Sequence, residues 1–94
     1  MLLIGTCELL IYLPDSHSLK DKRGIISKLK FNLRKKYNIS ISEIDHKNLW
    51  KKTTFAICCV SDSRQIIDRT MDSLIKEIEN NPKIELINYQ VSTI

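Results

Sequence analysis

Residues 3–13 divide between two faces of an extended chain, one wholly apolar or small and one mixed: Gly5, Cys7, Leu9, Ile11 and Leu13 on the first, and Thr6, Glu8, Leu10 and Tyr12 on the second. A period of two predicts a β-strand with one buried face. Three further segments, residues 39–45, 52–61 and 83–92, have the composition of strands, and 52–61 is apolar on both faces, as in a central strand. The alternation changes phase at Glu43, which predicts a β-bulge. It changes again in the last strand, which predicts a second bulge or a strand with two apolar faces.

Two segments between these strands follow the helical period instead. At 100° per residue, five apolar residues of 19–37 fall within an arc of about 80°. Ser18 with Asp21 resembles a capping box in which Asp replaces the usual Glu or Gln. The second helix is predicted to begin after a cap at Ser61, Asp62 or Ser63 and to stop at residues 80–82. The apolar stripes are Leu19, Ile26, Leu29, Leu33 and Tyr37 in the first helix and Ile67, Met71, Leu74, Ile75 and Ile78 in the second.

The elements follow the order βαββαβ. Two right-handed crossovers with interleaved strands predict the ferredoxin-like α+β fold, a four-stranded antiparallel sheet in order 4-1-3-2 with both helices on one face. Three loops then meet at one end of the sheet, namely residues 14–19, 45–52 and 80–83. Both histidines, His17 and His46, belong to that end, which is therefore the predicted place of any functional site.

Length, charge and cysteine content indicate a small single-domain protein without disulfides. The 94 residues suffice for a single domain, residues 1–94, and 15 Lys plus Arg against 11 Asp plus Glu give a formal net charge of +4. Glu8 interrupts the N-terminal apolar run and no run reaches the roughly 20 residues that span a bilayer, so a cytoplasmic protein is predicted. Cys7, Cys58 and Cys59 are predicted to be reduced thiols without a disulfide or a metal.

The charge is concentrated in one part of the chain. Residues 17–52 hold 11 basic and 3 acidic residues, a balance of +8, whereas the rest holds 4 basic and 8 acidic residues, a balance of −4. The predicted first helix alone carries +7, and Phe31 lies beside its basic flank. This pattern favours contact with phosphates and base stacking on Phe31. A merely solvated helix face is the alternative.

The predicted contact residues lie on this helix and in the loops at the same sheet end. Free N–H groups at the helix start favour an anion; alternatively, Asp15, Asp21 and Asp45 serve as internal partners of the caps and the histidines. Trp50 is either a hydrophobic plug over the sheet end or a stacking platform. The residues predicted to contact nucleic acid or an anion are His17, Ser18, Lys20, Lys22, Arg23, Lys30, Phe31, Arg34, His46, Lys47, Trp50 and Lys51.

Two segments carry a family resemblance. PDSHSLKDKRGIISKL (14–29) and NISISEIDHKNLWKKTT (38–54), with VS at 60–61, resemble the YlxP-like family of small bacterial proteins, a domain of unknown function. The resemblance covers essentially the whole chain and implies a ferredoxin-like fold. Genes of that family tend to lie beside those for a translation initiation factor and a ribosome-binding factor. The resemblance therefore implies a link to the ribosome or to RNA, and it implies no catalytic residues.

Spacing argues against several activities known on this fold. The loop after the first strand, PDSHS, lacks the Cys-x-x-Cys pair of metal chaperones and the glycine-rich, arginine-bearing phosphate loop of an acylphosphatase. The segment KTTFAI (52–57) lacks the glycine and second aromatic residue of an RNA-recognition motif. We therefore predict a non-enzymatic RNA-binding or ribosome-associated factor without cofactor or metal. The alternative is an interaction module that forms a homodimer through its open sheet face, with Leu10 and Tyr12, or through its edge strands.

Overall fold

The alternating and helical segments of the sequence become four strands and two helices in the predicted order. The computed structural model describes residues 1–94. Element ends differ from the sequence prediction by at most two residues, because the signals that end an element are local. The elements are β1 (Leu3–Tyr12), α1 (Leu19–Lys36), β2 (Ser40–Asp45), β3 (Lys52–Ser61), α2 (Arg64–Glu79) and β4 (Glu85–Thr93).

Side-chain hydrogen bonds determine where the helices begin. Ser18 is the N-cap of α1, and its hydroxyl accepts the N–H of Asp21 at 3.0 Å. Ser63 is the N-cap of α2, and its hydroxyl accepts the N–H of Ile66 at 3.4 Å. Each cap satisfies an N–H group that the first helical turn leaves without a backbone partner. The predicted cap at Ser18 is confirmed, and Ser63 is the one used of the three predicted for α2.

The four strands form one antiparallel sheet in the order β2-β3-β1-β4, which confirms the predicted order read from the opposite edge. β3 and β1 are central. Ile44 is the extra residue in β2, since Glu43 pairs with Phe55 and the next paired residue is Asp45. Ile87 is likewise the extra residue in β4. Both phase changes in the sequence are therefore β-bulges.

Both helices cover the same face of the sheet, so the fold is a two-layer α/β sandwich. The core is a cluster of 17 buried residues that includes Leu9 and Phe55 from the central strands and Leu33 and Leu74 from the two helices. Burial of each such side chain stabilises the fold by about 1.5–3 kcal/mol. The predicted stripe of α2 is wholly buried, whereas Leu19 and Tyr37, at the ends of the α1 stripe, are only partly buried.

The cysteines follow the alternation of their strands. Cys7 and Cys59 point into the core and Cys58 points to the open sheet face, and all three are free thiols. Burial, with a smaller contribution from the neighbouring Glu8, raises the pKa of the Cys7 thiol to about 11. Cys7 is therefore protonated and a poor nucleophile at neutral pH. Neither helix is long and apolar enough to cross a membrane.

Candidate nucleic-acid interface

The loops at the ends of β1 and β2 meet as predicted. The N–H of Leu13 donates to the carbonyl of Lys51 at 2.8 Å, and the Lys51 ammonium donates to the carbonyl of Pro14 at 2.7 Å. These two bonds join the loop before α1 to the β2–β3 hairpin. Lys51 thus has a structural partner, although its side chain is not fully buried.

Lys22 lies inside the protein. Only 1% of the residue is exposed, and its ammonium lies 2.9 Å from the carboxylate of Glu43 on β2. The same ammonium donates to the carbonyls of His46 at 2.6 Å and Lys47 at 3.3 Å. Three acceptors satisfy its three donors, so the prediction that Lys22 faces a bound anion is wrong. The residue instead attaches α1 to the hairpin.

The backbone of the β2–β3 hairpin turns at His46 so that its carbonyls point toward the Lys22 ammonium. His46 adopts φ 60°, in the left-handed region that residues other than glycine seldom occupy. The N–H of His46 donates to the Asp45 carboxylate at 2.7 Å, and its ring Nδ1 lies 2.8 Å from the Thr54 hydroxyl oxygen. Interactions on both sides of the residue therefore hold a turn in which two carbonyls converge on Lys22.

Glu43 is the charged partner of Lys22. Burial raises its pKa, but the hydrogen bonds from Lys22 and Thr53, together with the positive charges of Lys22 and Lys47, outweigh burial. The pKa of Glu43 consequently lies below its ordinary value of 4.5. The Thr53 hydroxyl donates to the same carboxylate at 2.7 Å. The pair is a buried structural ion pair, in which each charge depends on the other.

The depressed pKa of Glu43 predicts an acid-sensitive fold. A folded-state pKa below the unfolded value means that the stabilisation is complete above pH 4.5 and is lost as pH falls through the folded-state pKa. Urea unfolding from pH 7 down to pH 2.5 should show the wild type losing stability in that window. The Glu43→Gln variant should show a shallower loss, and an unchanged slope would contradict the assignment.

The start of α1 is less suited to an anion than its sequence indicates. The N–H of His17 donates to the Asp21 carboxylate at 3.0 Å, so a negative charge already lies at the helix N-terminus. Asp45 serves His46 in the same way. Asp21 and Asp45 therefore accept hydrogen bonds from backbone N–H groups of their own loops, which is the alternative to anion binding given by the sequence. Ser18 is the cap, and its hydroxyl is engaged with the N–H of Asp21.

The outer face of α1 retains unpaired positive charge. Lys20 and Arg23 are exposed and Lys30 is partly exposed, and none of the three forms an ion pair. Phe31 stands between the two basic flanks of the helix with 64% of its surface exposed. Arg34 differs, because its guanidinium donates to the Ile41 carbonyl at 3.1 Å on the outer side of β2.

A groove between α1 and α2 adds residues that the sequence analysis missed. Its basic and amide side chains are Lys20, Lys28, Asn32, Lys35, Lys36, Asn80, Asn81 and Lys83, and the acidic ones are Asp15, Asp21 and Glu77. Lys36 is paired with Glu77 at 3.0 Å, whereas Lys28, Lys35 and Lys83 form no ion pair. A helical wheel could have indicated Lys28 and Lys35, because both lie on the exposed flank opposite Arg23. Lys83 belongs to the loop 80–83, which the topology placed at the predicted functional end, but no residue pattern singled it out.

The tip of the β2–β3 hairpin exposes apolar surface. Trp50 is 54% exposed, and its sequence neighbour Leu49 and the β2 bulge residue Ile44 are also exposed. Trp50 is therefore not a plug over the sheet end, since more than half of its surface is accessible. Lys47 is exposed in the same hairpin. The candidate interface thus comprises the outer face of α1, the groove beside it and this hairpin tip. No group of three His, Cys, Asp or Glu side chains is arranged to hold a metal ion.

Comparisons with known proteins agree with the fold and the resemblance. The "Uncharacterized protein YlxP" of Bacillus subtilis (strain 168) is 35% identical over 85 residues, which cover 90% of each chain. The solved structure of "De novo designed protein Foldit4" superposes over 100% of this chain and 97% of its own with a TM-score of 0.58. At 11% identity that likeness concerns the fold alone. Residues 4–91 match the family described as "Protein of unknown function (DUF503)", and the chain belongs to that family.

Proposed function

We propose that the chain is a non-enzymatic RNA-binding protein that holds a single-stranded segment on the outer face of α1 and the hairpin tip. The observation that carries the proposal is Phe31, an aromatic side chain 64% exposed among cations without ion-pair partners. An aromatic side chain on an exposed helix face is unfavourable, because its apolar surface stays in contact with water and does not pack in the core. Its position is accounted for if it stacks on a base.

Electrostatics supplies the first step of the proposed binding. The partnered basic residues of α1, Lys22, Arg34 and Lys36, do not count toward phosphate contact. Those that remain line both sides of Phe31 and continue into the groove: Lys20, Arg23, Lys28, Lys30 and Lys35. Each phosphate neutralised by one of them releases counterions, which favours RNA at low salt and gives no sequence preference.

Stacking supplies the second step and favours an unpaired strand. Bases in a duplex are covered by their neighbours, whereas bases in loops and single strands can lie flat on an aromatic ring. Phe31 and Trp50 both offer exposed rings, and Lys47 accompanies Trp50 in the hairpin. The amides of Asn32, Asn80 and Asn81 in the groove are suitable partners for sugar and phosphate oxygens. Ribosomal RNA is the expected source of the strand, as the family resemblance implies.

Charge reversal on α1 is expected to abolish most of this binding. The variant Arg23→Glu with Lys28→Glu should bind a fluorescein-labelled oligouridine of about 12 nucleotides at least about tenfold more weakly, measured by anisotropy. The slope of log affinity against log salt should become shallower by about 1–2, because two cations no longer meet phosphates.

The matched control reverses the same number of charges on the other helix. Arg64 and Arg69 are exposed on α2, so Arg64→Glu with Arg69→Glu changes the net charge equally and should leave affinity within about twofold. Phe31→Ala should weaken binding about fivefold or more with the salt slope unchanged, since it removes only stacking. Equal losses in both charge-reversal variants, or a wild type that binds neither oligouridine nor ribosomal subunits, would refute the proposal.

A further inference from the structure

The two edges of the sheet differ in how they are protected against strand pairing. The β2 edge has six residues and a bulge, and Arg34 donates to its outward Ile41 carbonyl. The β4 edge has nine residues, its bulge lies near its start at Ile87, and Glu85 is its only charged residue. Natural proteins shield sheet edges with short strands, bulges and charge, all of which protect β2. Most of β4 lacks such shielding.

The backbone of β4 presents free donors and acceptors to solvent. Ile4 and Ile94 exchange two backbone hydrogen bonds, of 2.9 and 2.8 Å. Since successive residues of an antiparallel strand direct their N–H and C=O groups to opposite sides, Tyr89, Val91 and Thr93 direct theirs away from β1. The Tyr89 N–H is taken by the side chain of Asn88 at 2.9 Å. The N–H groups of Val91 and Thr93 are thus available to another strand.

Apolar side chains accompany these free groups. Tyr89 and Val91, on the helix side of the sheet, are 48% and 40% exposed, and the bulge residue Ile87 is 51% exposed. Their register partners on β1, Leu9 and Cys7, are buried. The buried core therefore stops at β1. β4 has free backbone hydrogen-bonding groups and exposed apolar side chains, as an internal strand would have if its neighbour were removed.

We propose that β4 pairs antiparallel with β4 of a second copy of the chain across a twofold axis near Val91, which makes an eight-stranded sheet. The occupant is a second copy because the outward groups centred on Val91 are self-complementary under that axis. The free part of the strand carries no charge, so no like charges oppose each other. α1 packs against β2, at the far edge, so the two basic helices lie at opposite ends of the dimer.

The same axis would bring the α2 flanks of the two copies together, each with one cation and three carboxylates. Antiparallel strands bring antiparallel α2 helices, and Asp68, Asp72, Lys76 and Glu79 line the flank of α2 that faces the exposed side chains of β4. Lys76 of one copy then faces the Asp68 and Asp72 end of the other. Glu79 faces the N-terminal end of the opposing helix, where the helix dipole is positive. Both basic faces stay exposed, so the dimer does not depend on the proposed RNA binding.

The test is the mass in solution of wild type and edge variants, by light scattering at about 10–100 μM. The wild type should weigh twice the 11.0 kDa of the chain. Val91→Pro should be a folded monomer, because proline removes an outward N–H that does not bond to β1. Tyr89→Lys, which replaces an exposed apolar side chain of the proposed interface with a charged one, is the second variant, so the result does not rest on one substitution.

The matched control lies on the open sheet face. Tyr12→Lys introduces the same charge on that face beside Glu85, at the start of β4 and far from Val91, and should leave the dimer intact. In hydrogen exchange, the Val91 amide should be protected in the wild type and should exchange freely in Tyr89→Lys. A wild type of 11.0 kDa throughout would overturn the proposal, as would a dimer that survives both edge variants or one that Tyr12→Lys dissociates.

Discussion

Replacement of Lys22 by Met is expected to lower the free energy of unfolding by about 3–5 kcal/mol, the usual cost of leaving one partner of a buried ion pair alone. Met keeps most of the buried volume, so the loss comes from the charge. Glu43, only 16% exposed at its side chain, would retain its carboxylate without the ammonium 2.9 Å away. The carbonyls of His46 and Lys47 would lose the same donor. Urea denaturation at pH 7 measures the loss.

Two further variants separate the charge from the packing at this position. Lys20→Met, at an exposed position two residues earlier in the same helix, should change stability by no more than about 0.5 kcal/mol. In the double variant Lys22→Met with Glu43→Gln, at least about 1 kcal/mol of the loss should return, because no unpaired charge remains. A Lys22→Met protein within about 1 kcal/mol of the wild type would show that the ammonium is not needed to attach α1 to the hairpin.

Substitution of Gly5 by Ala is expected to lower the free energy of unfolding by about 1–3 kcal/mol, the usual cost of overpacking a core. A Cβ atom at Gly5 would lie 2.5 Å from the Ile67 side chain and 3.2 Å from both Cys59 and Met71. α2 approaches β1 closely here only because residue 5 has no side chain. Relief would require α2 to move away from the sheet.

Gly24 provides the opposite case in the same protein. It lies in the interior of α1, and a Cβ atom there would meet nothing within 4 Å. Gly24→Ala should therefore raise the free energy of unfolding by about 0.4–1 kcal/mol, because alanine restricts the unfolded chain and favours the helix. Thermal melts of the two variants should shift in opposite directions. Two shifts of the same sign would contradict the packing described for Gly5.

Most of the fold could be predicted because its determinants are local. The period of each segment, the caps at Ser18 and Ser63, and the phase changes at Glu43 and in β4 all act over a few residues. Sheet order followed from the handedness of the two crossovers, which is a property of twisted strands and needs no knowledge of particular contacts. The concentration of positive charge on α1 is likewise visible in the sequence.

The candidate interface was less predictable, because pairing between distant residues decides which charges remain free. Lys22 shares the face of Ile26 and Leu29 on α1, and Glu43 shares the face of Ile41 on β2, so each charge could be recognised as lying on a buried face. That the two charges meet is not visible. The exposure of Trp50 was also undecided, because either position of its side chain suits the hairpin sequence.

The sequence by itself determined the elements, their order and the sign of the charge on α1, since these depend on side-chain type and spacing along one segment. Only the tertiary structure decided that Lys22 forms an ion pair with Glu43, that Arg34 covers the β2 edge and that no side chain covers the β4 edge. In the first two cases another element supplies the partner of a charge, and at β4 no element supplies a covering side chain. A buried or bonded charge needs a partner within about 3–4 Å, and residues far apart in the chain come that close only through the packing of helices on the sheet.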